Sequence, residues 1–222
     1  MLFPEEPADL FEIENIVYRC GYQRVVGIDE AGRGPLAGPV VAAAVMLPRG
    51  CTLEGLADSK TLTAARRQAL YERLAAAPEV VTAVVAMAPS EIDRLNILRA
   101  THAAMRRAVA RVCPAADFIL VDGRPVPDLP CAARNIIKGD AKCACVAAAG
   151  IIAKVTRDRL MCDADREYPE YGFRRHKGYG TKAHIAVLNR LGPSPIHRFS
   201  FAPVAAADGA GSKQTQFEFM DD

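Results

Sequence analysis

Apolar residues recur in two rhythms along the chain: short unbroken runs of strand length, and longer stretches at helical spacing. RVVGID (24–29) and VVAAAVML (40–47) are runs of the first kind, separated by the Gly/Pro-rich AGRGPLAGP. They predict two strands around a special turn. Residues 61–77 set Leu62, Ala65, Ala69, Leu70 and Leu74 near helical spacing and stop before Pro78, which predicts a helix. The β-branched run 80–87 predicts a strand. SEID (90–93) has the form of a capping box, opening a helix with the stripe Leu98, His102, Met105, Val109 and Val112. DFILVDG (117–123) reads as a strand with a polar end, and 133–138 as a weaker strand before Gly139 and Asp140, after which the pattern turns helical again. A further short helix is expected near 181–191. This order predicts an α/β fold, a mixed sheet with helices against it.

Composition sharpens this mainly by exclusion. With 222 residues, 50% hydrophobic and 24% charged, the chain can fill a full core without disulfides or metals as staples. Its longest apolar runs, 40–47 and 143–153, fall short of the ~18 residues that a membrane span needs. The opening MLFPEEPADLFEIEN carries five acidic residues and no Lys or Arg, the reverse of a signal peptide. Seven cysteines without a C-x-x-C pair or a zinc spacing read as reduced thiols, and a cytoplasmic location is expected. Three segments are expected: an acidic lead-in over 1–20, one domain over 21–204 ending in a basic helical extension, and a flexible Ala/Gly/Ser-rich tail over 205–222.

The net charge is only +2, but residues 171–204 hold six Lys/Arg, three His and no Asp or Glu. A local basic surface of this kind suits a phosphate backbone, although a charge run is also an ordinary solvated face. Four carboxylates stand out by position: Asp29 and Glu30 at the end of the first strand, Asp122 at the end of another, and Asp140 opening a helix. Parallel neighbouring strands would bring Asp29 and Asp122 side by side, where two buried like charges need a counter-cation. Oxygen-only ligands favour Mg²⁺ or Mn²⁺, and a cluster can hold two ions for in-line phosphoryl transfer. By spacing alone, each Asp could equally be a turn residue or a helix cap. In GIDEAGRGPLAGPVV (27–41), however, glycines and prolines follow the carboxylates at once, and Gly32 and Gly34 beside Arg33 would let main-chain amides approach a sugar or phosphate closely.

The long strings resemble the bacterial type 2 ribonucleases H, the ribonuclease HII family. They are GIDEAGRGPLAGPVVAAAV, ADSKTL (57–62), ILVDG (119–123), IIKGDAK (136–142), AKVTRDRLM (153–161) and YPEYGFRRHKGYGTKAH (168–184), and the likeness runs from about residue 21 to 204. The resemblance implies an RNase H-like fold and a metal-dependent endonuclease. Its substrates would be the RNA strand of RNA/DNA hybrids and ribonucleotides embedded in duplex DNA, cut to leave 5′-phosphate and 3′-hydroxyl ends. It implies Asp29, Glu30, Asp122 and Asp140 as ligands of Mn²⁺ or Mg²⁺. Gly32, Arg33, Gly34 and Tyr179 would contact the ribonucleotide, whose 2′-hydroxyl is the local mark of RNA. Ser59, Lys60, Lys142, Lys154 and Lys177 are candidate phosphate contacts, with ordinary surface lysines as the competing reading. Where the family usually reads a serine-rich run, this chain has Cys143, Cys145 and Gly150, which removes hydroxyl partners.

In the tail, Gln214, Phe217 and Phe219 have the spacing of a peptide that binds a bacterial sliding clamp. A monomer is expected otherwise. Type 3 enzymes share the fold but carry an N-terminal substrate-binding domain, for which the 26 residues before Gly27 are too few. An idle hybrid-binding module would not need four carboxylates, and a two-metal phosphatase of small nucleotides would need neither the GRG turn nor the basic C-terminal third.

Overall fold

Five strands, β1 (Val25–Ala31), β2 (Val40–Met46), β3 (Val81–Met87), β4 (Phe118–Asp122) and β5 (Ala132–Ile136), form one mixed sheet in the order β3-β2-β1-β4-β5. The computed structural model describes residues 3–57, 59, 61–112 and 116–217, with side chains described as far as residue 209. Strands β1 and β2 run antiparallel around the Gly/Pro-rich turn, while β1–β4 and β4–β5 are parallel. The helices are α1 (Glu12–Arg19), α2 (Ala64–Ala76), α3 (Pro89–Leu95), α4 (Ile97–Val112), α5 (Ala144–Glu167), α6 (Phe173–His176), α7 (Lys182–Leu191) and α8 (Ala202–Phe217). The mixed α/β sheet flanked by helices is the architecture expected from the sequence. No helix among the described residues is long and apolar enough to cross a membrane.

The chain divides into two compact units, Met1–Ala31 with Val41–Ala86 and Thr101–Thr156, and Gly32–Val40 with Met87–Ala100 and Arg157–Asp222. In the first unit the core is built from small residues: Ala42, Ala43 and Ala44 of β2, and Ala144, Ala147, Ala148 and Ala149 of α5, are all fully buried. Their size lets helix and sheet approach closely. Gly27 shows how closely, since a Cβ there would lie 2.3 Å from the Cys145 carbonyl carbon. The acidic lead-in is part of this core rather than a separate segment. Ile13 and Val17 of α1 are fully buried, and the Glu14 carboxylate caps α5 by accepting from the backbone N–H groups of Cys145 at 2.7 Å and Ala144 at 3.4 Å. A carboxylate at a helix N-terminus satisfies otherwise orphaned amides and complements the dipole.

The second unit has its own small clusters. Leu36, Leu188, Val204 and Ala207 form one, and Ala37, Met161, Tyr171 and Phe173 form another. The first explains why the segment after residue 204 is helical where a flexible tail was expected: Val204 and Ala207 bury one face of α8, and Ala is the best helix former. The expected capping box over 90–93 does not form: α3 starts two residues earlier behind Ala88, which has no side chain to accept, and only the Glu91 side chain takes part, accepting from the Ala88 N–H. Asp93 serves a different purpose, accepting from the N–H groups of Phe199 and Ser200.

Candidate active site

The register of the parallel β1–β4 pair sets Ile28 beside Val121, so the next step along both strands brings Asp29 next to Asp122. Asp140 arrives from β5 on a single 3-10 turn, Gly139–Ala141, entered through Lys138 in the left-handed region at φ 57°. Asp122 fastens that turn: its Oδ1 accepts from the Gly139 N–H at 2.7 Å and, more weakly, from the Asp140 N–H at 3.4 Å. Each of Asp29, Asp122 and Asp140 offers a carboxylate oxygen within 4.8 Å of the other two. Asp29 and Asp140 are buried, at 5% and 3% exposure. Helix α5 makes room for them at Gly150, where a Cβ would lie 2.4 Å from Asp29 Oδ2.

Burial pushes the Asp29 carboxyl well above the usual carboxylate range, and the charges of Glu30, Asp122 and Asp140 push it further against the opposing hydrogen bond from the Glu30 N–H. A divalent cation reverses this balance by stabilising the ionised form. Three carboxylates and no nitrogen or sulfur donor are the set a hard, oxygen-seeking ion takes. The residues therefore fit a metal of the Mg²⁺ or Mn²⁺ type. Glu30, expected as a fourth ligand, is not among the three whose oxygens converge. It follows Asp29 on β1, where successive side chains alternate between faces, and it reaches the site electrostatically through Asp29.

Of the expected phosphate contacts, Ser59 is buried at 4% exposure on the Asp29 side of Gly150, its Oγ 3.7 Å from where a Cβ would stand. It belongs to the support of the carboxylates more than to an exposed surface. Lys60 lies outside the described residues. Lys142 follows the Asp140 turn and Lys154 lies on α5, both half-buried. Lys177 donates to Cys162 Sγ at 2.9 Å. Cys143 and Cys145 are fully buried in the core, so neither thiol stands where a serine hydroxyl would meet a nucleic-acid backbone.

The second unit holds the GRG turn and Tyr179 together. A Cβ at Gly34 would lie 3.9 Å from the Tyr179 ring, and Arg33, Gly34 and Tyr179 are all exposed. Gly32 is buried at φ 94°, with no room for a side chain because Arg157 Nε would be 1.9 Å from its Cβ. Composition and spacing do not reveal what lies beneath this turn. Arg157 and Arg198 are fully buried; Arg198 donates to the carbonyls of Gly32, Arg33 and Gly38, and Arg157 to those of Ala37 and Pro39 further along the same Gly/Pro-rich segment. For Arg157 a signal exists, since it shares an i,i+4 stripe with Met161, a placement unusual for a solvated arginine.

A carboxylate cluster at parallel strand ends, on a mixed sheet with helices packed against it, defines a phosphoryl-transfer hydrolase of the RNase H-like class. Residues 26–204 match the family model for Ribonuclease HII. The chain is 52% identical over 206 residues to Ribonuclease HII of Geobacillus thermodenitrificans, covering 92% of this chain and 78% of that one. It is 53% identical over 205 residues to Ribonuclease HII of Geobacter sulfurreducens, covering 91% and 94%. Ribonuclease H2 from Pyrococcus horikoshii OT3 superposes with a TM-score of 0.73 at 28% identity, over 86% of this chain and all of that one. Ribonuclease HII in its complex with PCNA from Archaeoglobus fulgidus gives 0.63 at 27% identity, over 76% and 88%. The chain belongs to the ribonuclease HII family and is a ribonuclease H, an endonuclease of RNA/DNA hybrids.

Proposed function

We propose that this enzyme cuts the RNA strand of hybrids, and DNA strands on the 5′ side of an embedded ribonucleotide, leaving 5′-phosphate and 3′-hydroxyl ends. The convergence of Asp29, Asp122 and Asp140 within 4.8 Å carries this reading. These three, with Glu30 beside them, would hold Mg²⁺ or Mn²⁺, which when bound supplies charge neutralisation at the scissile phosphate and activation of water. The chain's own part is to fix oxygens in advance: Asp122 is held by the Gly139 N–H and Asp29 by the Glu30 N–H. Gly32, Arg33, Gly34 and Tyr179 receive the ribonucleotide, and Lys142, Lys154 and Lys177 meet the backbone phosphates. Such an activity serves removal of misincorporated ribonucleotides and clearance of primer RNA. The tail residues Gln214, Phe217 and Phe219 add a contact to a sliding clamp; the side chains of the first two, and Phe219 entirely, lie outside the described residues. Truncation after Ala210 then abolishes capture by purified clamp.

The test is cleavage of a DNA duplex carrying one ribonucleotide, beside an all-DNA duplex and a long hybrid, with Mg²⁺ or Mn²⁺. Cutting 5′ of the ribonucleotide is expected, with a loss of about a thousandfold, on the order of 4 kcal/mol, in Asp29→Asn and Asp122→Asn. Equal rates for those variants and the unaltered chain would remove the carboxylates from the chemistry.

A further inference from the structure

We propose that Arg198 is a positioning residue that turns the N–H groups of Arg33 and Gly34 outward, so that the Gly32–Gly34 segment offers donors to a ligand oxygen. The proposal rests on the reading of that segment as the ribonucleotide contact. All the residues concerned lie in the second unit. Arg198 is fully buried, and its guanidinium donates to three carbonyls of the turn: Nη2 to Gly32 at 2.6 Å, Nη1 to Arg33 at 2.9 Å and Nε to Gly38 at 3.0 Å. Arg157, also fully buried, takes two more, with Nε to Pro39 at 3.0 Å and Nη2 to Ala37 at 3.2 Å. Two buried guanidinium groups thus hold five carbonyls of one short segment.

The consequence follows from peptide geometry. In a trans peptide the C=O of one residue and the N–H of the next point in opposite directions, and the described residues contain no cis peptide. Drawing the Gly32 and Arg33 carbonyls inward to Arg198 therefore turns the N–H groups of Arg33 and Gly34 outward, at two exposed residues beside the exposed Tyr179. The inward carbonyls are engaged and withdrawn from any ligand. What the turn presents is N–H dipoles backed by two buried positive charges, a combination that selects acceptors such as a ribose hydroxyl or a phosphate oxygen. A guanidinium is suited to this task because its planar fork bonds several carbonyls at once; an ammonium on the same stem spans fewer.

The experiment compares the unaltered enzyme with Arg198→Lys and Arg198→Met on the single-ribonucleotide duplex, measuring KM and kcat separately with Mn²⁺, alongside melting temperatures. For Arg198→Met, KM is expected to rise tenfold or more, with a smaller change in kcat, since the carboxylates stand on other elements. Arg198→Lys, which keeps the charge and part of the hydrogen bonding, should recover part of the loss. A folded Arg198→Met with unchanged KM overturns the proposal. So does a fall in kcat alone, in step with melting temperature, which marks Arg198 as purely structural. If Arg198→Met fails to fold, Arg198→Lys decides by the same split. An unaltered enzyme that cuts long hybrids but not the ribonucleotide duplex defeats the underlying reading of the turn instead, whatever the variants do.

Discussion

Gly32 and Gly34 flank the same arginine but answer to different demands. Gly32 holds φ 94° and sits against Arg157, so a side chain there is strained and has no space. Gly34 has no such requirement, because its Cβ would meet only the Tyr179 ring at an ordinary 3.9 Å. The fold thus needs the first glycine and not the second, which the proposed function assigns to the ribonucleotide contact. Gly32→Ala should lose about 1–3 kcal/mol from the backbone alone, read as a lower denaturation midpoint. Gly34→Ala should melt within a degree or two of the unaltered chain yet bind a ribonucleotide-containing duplex several-fold more weakly. Equal affinity for that variant would take Gly34 out of the contact surface. The same logic distinguishes Gly150, where the absent Cβ makes room for the Asp29 carboxylate. There the glycine serves the site at a cost in helix propensity of about 1 kcal/mol relative to alanine.

At the scale of elements, the segment carrying Tyr179 is held by three histidines whose tautomers the hydrogen bonds fix. His197 Nδ1 accepts from the Ser194 N–H at 2.9 Å, so its proton is on Nε2, which donates to His184 Nε2 at 3.0 Å. His184 must then carry its proton on Nδ1, which donates to the Tyr179 carbonyl at 2.9 Å. His176, stacked on His184 with ring centroids 4.3 Å apart, accepts from the Gly178 N–H on Nδ1 and donates from Nε2 to the Tyr171 carbonyl. The His184 and His197 rings are neutral in this chain of bonds, and a second proton on either breaks it. Burial lowers the pKa of His184, and burial together with the neighbouring His184 pushes His197 down to about 4. With folded values below the ordinary ~6.5, the unfolded chain binds more protons in that window. The stability contributed is therefore complete above about pH 6.5 and is lost as pH falls toward about 4. Melting temperature should fall across that range, and His197→Gln, less stable at neutral pH, should show a shallower slope. An unchanged slope would mean that other groups govern the acid limb.

For the whole molecule, most of the sheet was legible because apolar runs and punctuating Gly/Pro are local signals. β1, β2, β3 and β4 fall where runs of strand length end on turn residues, and α2 is capped by Thr63, whose side chain accepts from the Arg66 N–H. What was not legible depends on distant partners: Glu14 capping a helix 130 residues away in the chain, Val204 and Ala207 recruiting the tail into a helix, and arginines buried under a glycine turn. The carboxylates were legible by position, but the parallel register of β1 and β4, together with the Gly139–Ala141 turn that carries Asp140, decides which of them converge. That convergence has a cost for the metal-free protein. The Asp29 carboxyl has its pKa raised by burial and by like charges, so the folded state binds its proton more tightly than the unfolded chain does. The sign is opposite to that of the histidines: this contribution is present at acidic pH and is lost as pH rises past the unfolded value of about 4 through the raised folded one. At neutral pH the cluster therefore works against folding until a cation joins it. At 100 times its dissociation constant a bound ion adds about 2.7 kcal/mol, a rise of about 5–10 °C in melting temperature for a chain of this size. Mn²⁺ added to metal-free protein at pH 7.5 should produce a rise of that order, measured by calorimetry. Asp29→Asn, relieved of the charge, should melt higher than the unaltered chain without metal and respond little to Mn²⁺. An Asn variant that is less stable without metal, or that gains as much from Mn²⁺, would show that Asp29 is neither strained by its neighbours nor a principal ligand.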